Sequence, residues 1–478
     1  MIKRNIKFLL LLLFLADTGY SFNQHYHVNL DGDMAWIIVP ATGYQQVRKD
    51  PLGLGVLLYN KTYASPNRYC AHWTMSQYFK NAPKIIQLIF SPINSVYIAC
   101  ALAKTSIQVL IICLLAAFIC ATTSIFKKEF LLAALIITPL FQASGYTRTL
   151  GVIDLATTYT FFYALPLGLL LCFFYPFYKA TTNGRQLNLS IYHKVFLLLL
   201  LLLLPLNGPL VAAVVLIVCP TALLYMWFHH FKASSHLPFF QRSISAITRI
   251  NGSYLFFFII FIILCLYSLY IGRNDAENLN TIPLLERYRR LPLGLFNLMT
   301  NEFGFPLLLS VIALNSIIIY KSQPTKERLL ILNLLKLIGL FATIYLLLLP
   351  LGGYRPYRPN IVRQDTFMPI TLCLMFFYGL STYYLLKQLK SKTKTVYASV
   401  IILASVIFTL ADRPIHGNDC EKEALREISQ STKKIVPLDC NCSVMSWNKI
   451  SNYEDSKWNT NLLLHWGIIK EEKFYYNK

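Results

Sequence analysis

Acidic residues are scarce in this chain: 22 Asp and Glu stand against 44 Lys and Arg, and charged residues of both signs make up only 14% of 478 positions. Soluble domains carry about 25% charge, so a water-exposed surface around one large core is excluded. Long polar interruptions are also missing from the apolar runs, which are nearly pure Leu, Ile and Phe. No internal repeat of the kind many transporters carry is visible. The basic residues are dispersed over many short segments rather than gathered on one domain, which argues against nucleic-acid binding. Of the 11 cysteines, seven lie in or beside apolar runs, where a free Cys behaves as a small hydrophobe. No His or Cys completes a zinc set around "DCNC" (439–442) at the usual spacing. Cys420, Cys440 and Cys442 share one polar segment, so a disulfide from Cys420 to either of the C-x-C pair is expected.

What the chain does have is apolar length, with 55% hydrophobic residues and a mean hydropathy of +0.49. A bilayer core takes about 20 apolar helical residues. Runs of that kind fall at 6–22, 96–120, 129–143, 155–178, 195–206, 209–228, 252–271, 304–320, 329–349, 367–386 and 396–411. Open-edged sheets cannot cross lipid. The expected class is therefore all-α, a polytopic membrane protein of about eleven transmembrane helices. The basic N-terminus "MIKRNIK" before an apolar core also fits a signal peptide. A retained first helix is the reading taken, because no A-x-A site follows.

Charge placement sets the topology. Lys and Arg favour the cytoplasmic side of short loops. With the N-terminus inside, the inner segments include "KQLKSKTK" (387–394), and their only acid is Glu327. That count needs residues 195–227 to turn back at "LNGP" (206–209) as two helices, not to run on as one kinked helix. Four outer regions follow: a first loop (23–93), a middle loop (272–303), a third loop (350–366) and a C-terminal region (412–478). The division expected is a transmembrane domain over 1–411 and a small extracytoplasmic region over 412–478.

The first loop opens with "HVNLDGDMAW" (27–36), in which Asp31 and Asp33 flank a glycine that lets both carboxylates face one point. Paired carboxylates serve as a general base or hold a hard divalent cation. An Asx-type turn accounts for the same residues. Segments 44–60 and 67–90 read as amphipathic interfacial helices, and the second carries Arg68, His72 and Trp73 as candidate substrate-binding groups. Lys104 lies inside an apolar run, where Lys is costly, and is a candidate phosphate ligand. Arg148 and Asp154 share a short turn and suit a local ion pair. The middle loop adds Arg289 and Arg290 on another interfacial segment, 282–304.

In the third loop, "GGYRPYRPNIVRQD" (352–365), the prolines bias the chain toward extended geometry. A polyproline-II turn has three residues, so Tyr354 and Tyr357 align on one edge and Arg355 and Arg358 on another, about 9 Å apart. Arg355, Arg358 and Arg363 are candidate ligands for a phosphate or pyrophosphate.

An inside N-terminus, about eleven helices, a long first outer loop with acids soon after the first helix, and a small outer C-terminal region together resemble the GT-C superfamily. These are membrane glycosyltransferases that use polyprenyl-phosphate-linked sugars. The resemblance covers nearly the whole chain as architecture. It implies transfer of a sugar, with inversion, from a polyprenyl-phosphate donor to a glycan, lipid or protein acceptor. Asp31 or Asp33 would act as base or metal ligand, with Mg or Mn as a candidate cofactor. The outer-loop arginines would stabilise the leaving phosphate. The location implied is a bacterial cytoplasmic membrane. Competing expectations are an O-antigen-type polymerase or ligase, which also uses outer arginines, and a transporter or flippase of an anionic glycolipid. The apolar character of the runs argues against the last.

Overall fold

The computed structural model describes residues 2–40, 42–142, 150–182, 184, 186–278, 282–352 and 358–478. Arg148 and the loop residues Tyr354, Arg355 and Tyr357 lie outside them. Helices dominate: α1 (Ile2–Tyr26), α2 (Met34–Ile38), α3 (Thr42–Lys49), α4 (Leu54–Tyr59), α5 (Tyr69–Ile86), α6 (Pro92–Cys120), α7 (Lys128–Ile137), α8 (Thr157–Thr182), α9 (Ile191–Leu203), α10 (Pro209–Ala233), α11 (Phe239–Thr248) and α12 (Gly252–Gly272). They continue as α13 (Leu284–Thr300), α14 (Gly304–Lys321), α15 (Lys326–Leu348), α16 (Gln364–Gln388), α17 (Ser391–Ala411), α18 (Asp419–Gln430) and α19 (Lys457–His465). The chain is an all-α polytopic membrane protein: among the described residues nine helices are long and apolar enough to span a bilayer.

Two of the eleven expected spans are shorter. α7 gives way to a 3-10 turn at Thr138–Phe141, and α9 to one at Leu204–Asn207. Pro139 and Pro205 stand at these points, and proline offers no N–H to continue an α-ladder. α9 and α10 both pack along α12, so the chain does turn back between them. Gly208 supplies the reversal with φ +102°, and Ser268 of α12 donates to the Pro205 carbonyl at 2.5 Å. The 44–60 segment differs from expectation: it is two short helices, α3 and α4, parted at Asp50–Gly53, where Pro51 interrupts the helix.

The helices most enclosed by protein are α6, α8 and α16, with α1, α15 and α17 at the periphery. The first loop, the start of α8, the "LNGP" tip, the end of α12, the start of α16 and the C-terminal region gather at one end of the bundle. Contacts between distant segments fix this loop face. Tyr63 and Asp275 form a bridge, and the Asn67 side chain donates to the Ser268 carbonyl at 3.2 Å. Residues 412–478 fold as α18, β1 (Ile435–Leu438), α19 and β2 (Phe474–Asn477), the two strands pairing in parallel. The indole of Trp466, wholly buried, donates to the Phe79 carbonyl at 2.9 Å and anchors this unit on α5. A disulfide joins Cys420 to Cys442, leaving Cys440 reduced beside them.

Candidate functional site

Asp31 and Asp33 face different surroundings although one glycine separates them. Asp31 is buried. Thr158 donates to it twice, from Oγ1 at 2.6 Å and from the backbone N–H at 3.0 Å, and the Asp33 N–H adds a third bond at 3.2 Å. Burial pushes its carboxyl upward in pKa, and these bonds oppose the shift. Asp33 is half-buried and accepts from the indole N–H of Trp447 at 3.0 Å. Burial first, then the Asp31 charge beside it, raise its pKa to about 6. Gly32 is required between them, since a Cβ there would sit 2.7 Å from the Trp447 backbone nitrogen.

Thr158 and Tyr159 lie in the first turn of α8, directly before a π-turn at Thr160–Ala164. Such turns re-aim side chains and recur at functional sites. The Tyr159 ring lies 6.0 Å from the Trp447 ring, and its hydroxyl accepts from Arg358 at 2.8 Å. Arg358 also pairs with Asp365 at 3.7 Å, and Arg363 holds the same carboxylate at 2.7 Å. The structure thus brings together the first-loop carboxylates and the described arginines of the third loop, through Trp447 and Tyr159. Two guanidiniums share one buried carboxylate.

A second arm leads from Asp33 toward Arg68. Glu277 is close enough to raise the Asp33 pKa, and it accepts from the Tyr44 hydroxyl. The Tyr44 ring stands 5.4 Å from the buried ring of His72, which packs on Phe162 at 5.0 Å. Burial and the Arg68 charge push the imidazole down to about 3, so His72 stays neutral. Its Nε2 and the Arg68 Nε have no hydrogen-bond partner, while the Arg68 guanidinium lies 5.7 Å from the rings of Phe162 and Tyr163. Trp73, half exposed, belongs to the outer surface of α5.

Three other candidate cations are placed as follows. Lys104 does not reach into an open site: it is wholly buried, donates to the Leu155 carbonyl, and places its charge beside Asp31 and Asp154. Arg290 is occupied with Glu286 at 2.8 Å and the Pro359 carbonyl at 3.3 Å, so it anchors the segment that carries Arg358. Arg289 is exposed on α13. Asp31 already accepts three hydrogen bonds, and among the described residues no third acidic or imidazole ligand groups with Asp31 and Asp33. Among the described residues the one cluster with metal-ligand spacing is Cys420, Cys440 and Cys442, where the disulfide removes two thiolates.

Thr158, Tyr159 and Glu421 escape a sequence reading because they act from positions far from "DGD". Glu421, on α18, accepts from the Leu30 N–H at 2.9 Å, the Tyr97 hydroxyl at 2.8 Å and the Met445 N–H at 2.7 Å. It ties the first loop to the segment that carries Trp447. Burial raises its pKa to about 7. No protein-family model matches this chain, and no curated protein sequence matches it.

Proposed function

We propose that the chain is a membrane glycosyltransferase that moves a sugar from a polyprenyl-phosphate donor to an acceptor hydroxyl, with inversion, at the loop face. The reading includes eleven membrane crossings, a cytoplasmic N-terminus and a loop face outside the cytoplasmic membrane of a bacterium. The observation that carries it is the half-buried Asp33 carboxylate, with a pKa of about 6, joined through Trp447 and Tyr159 to Arg358.

A general base works best with a pKa near the working pH, and Asp33 meets that condition while Asp31 is fixed by Thr158. Asp33 takes the proton of the acceptor hydroxyl as its oxygen attacks the anomeric carbon. The bond from that carbon to the phosphate oxygen breaks, and the lipid phosphate leaves with the electron pair. Arg358 and Arg363 sit where charge grows on that phosphate, and electrostatic stabilisation of this kind is commonly the largest catalytic contribution. Asp31 and Lys104 hold the turn that presents Asp33.

The test is release of polyprenyl phosphate from lipid-linked sugars by the purified chain in lipid vesicles. Asp33→Asn is expected to lower turnover by about 10²–10⁴-fold. Undiminished turnover in that variant would refute the assignment.

A further inference from the structure

Beside the arginines, and distinct from the carboxylate, lies a cleft of about 430 Å³ between α13 and the start of α16. Its size falls in the range of small-ligand sites, roughly 300–1,000 Å³. Its walls carry Asn297, Asn301 and Glu302 on one side and Asn360, Arg363 and Gln364 on the other, over Leu298 and Val362. We propose that this cleft binds an uncharged saccharide, as a sugar subsite of the transferase reading, on which it rests.

Four carboxamides dominate the walls. Each offers two N–H donors and a carbonyl acceptor, which suits ring hydroxyls that donate and accept at once. Among the described residues the side chains of Asn297, Asn301 and Asn360 show no hydrogen bond to the protein, while the Gln364 amide packs against Gly151. Charge argues against an anionic ligand here. Glu302 offsets Arg363, and Arg363 is already held by Asp365 at 2.7 Å. The helix is built for this use. Gly294, Asn297, Leu298 and Asn301 follow the i, i+3, i+4, i+7 spacing of one face. Leu285, Leu293 and Phe296 are exposed, so the apolar face is turned away from the cleft. Arg363 lines the cleft and pairs with the carboxylate that also holds Arg358, so a sugar here would lie next to the phosphate-binding side of the site.

The test is saturation-transfer NMR on the full chain in lipid nanodiscs free of sugar-headed detergent. The probes are glucose, galactose, mannose, N-acetylglucosamine, rhamnose and arabinose, with inorganic pyrophosphate as the anionic probe. At least one sugar is expected to bind with a Kd of about 1–10 mM. Asn297→Ala and Asn360→Ala, on opposite walls, should each weaken it about three- to tenfold. The proposal is overturned if none of the six sugars binds, if both variants bind like the parent, or if pyrophosphate binds and the two variants weaken it instead. Sugar binding without any transfer from lipid-linked donors would defeat the transferase reading alone. Transfer without sugar binding in the cleft would defeat the subsite alone.

Discussion

The "DGD" turn and the α13 cleft are both polar and both at the loop face, yet they treat their polar groups in opposite ways. Around the turn, nearly every oxygen is committed inside the protein: Asp31 to Thr158, Glu421 to Leu30, Tyr97 and Met445. In the cleft, Asn297, Asn301 and Asn360 line the opening, while the Gln364 amide packs against Gly151. A saturated network fixes geometry, because leaving any buried member unpaired costs about 1–3 kcal/mol. An unsaturated one leaves its capacity to a ligand or to water. The first kind of surface suits chemistry and the second recognition.

The contrast can be broken most forcefully at Asp31. Asp31→Asn turns an N–H₂ toward donors on Thr158 or Asp33 and removes the charge opposite Lys104. Thermal unfolding should report a loss of about 3–5 kcal/mol, the scale of breaking a buried charged pair. Glu421→Gln is expected to cost less, about 1–3 kcal/mol for a mispaired buried group. It also carries a pH signature. The folded-state pKa is about 7 against 4.5 for an ordinary Glu, so the folded chain binds the proton more tightly. Stability should then fall as pH rises from about 4.5 to about 7 and level off above, and Glu421→Gln should flatten that slope. The smallest effect is expected from Trp447→Phe. Loss of the indole donor raises the Asp33 pKa above about 6, and the acid limb of the pH–rate profile should move upward, with a change below about tenfold near pH 7. An unmoved limb would detach Trp447 from Asp33.

Much of the fold is legible in the sequence because the bilayer sets a length rule that apolar runs obey directly. The hairpin at "LNGP" follows from Pro205, Gly208 and Pro209 together with the charge count, which disfavours one kinked helix. The 3-10 endings of α7 and α9 are less legible, since Ile, Leu and Phe run straight through the prolines. At the site, Asp33, Arg358 and Arg363 carry visible chemistry, and Asp33 is linked to Arg358 through Trp447 and Tyr159. Thr158 and Tyr159 are ordinary residues at the head of an apolar run, and only the packing of α8 against the first loop gives them partners. Lys104 illustrates the reverse problem. Its charge is conspicuous in sequence, but depth and the Leu155 carbonyl decide what it touches.

Glu421 and Trp447 lie some 390 to 414 positions beyond the loop they complete. Order of synthesis therefore matters. The ribosome delivers Asp33 early, but its surroundings close only after every later helix has been inserted and the last folded unit has docked. Until then the carboxylate stands in water with an ordinary pKa, its turn unsupported and its indole partner absent. A chain stalled short of α18 would lack the Glu421 and Trp447 contacts that complete the turn.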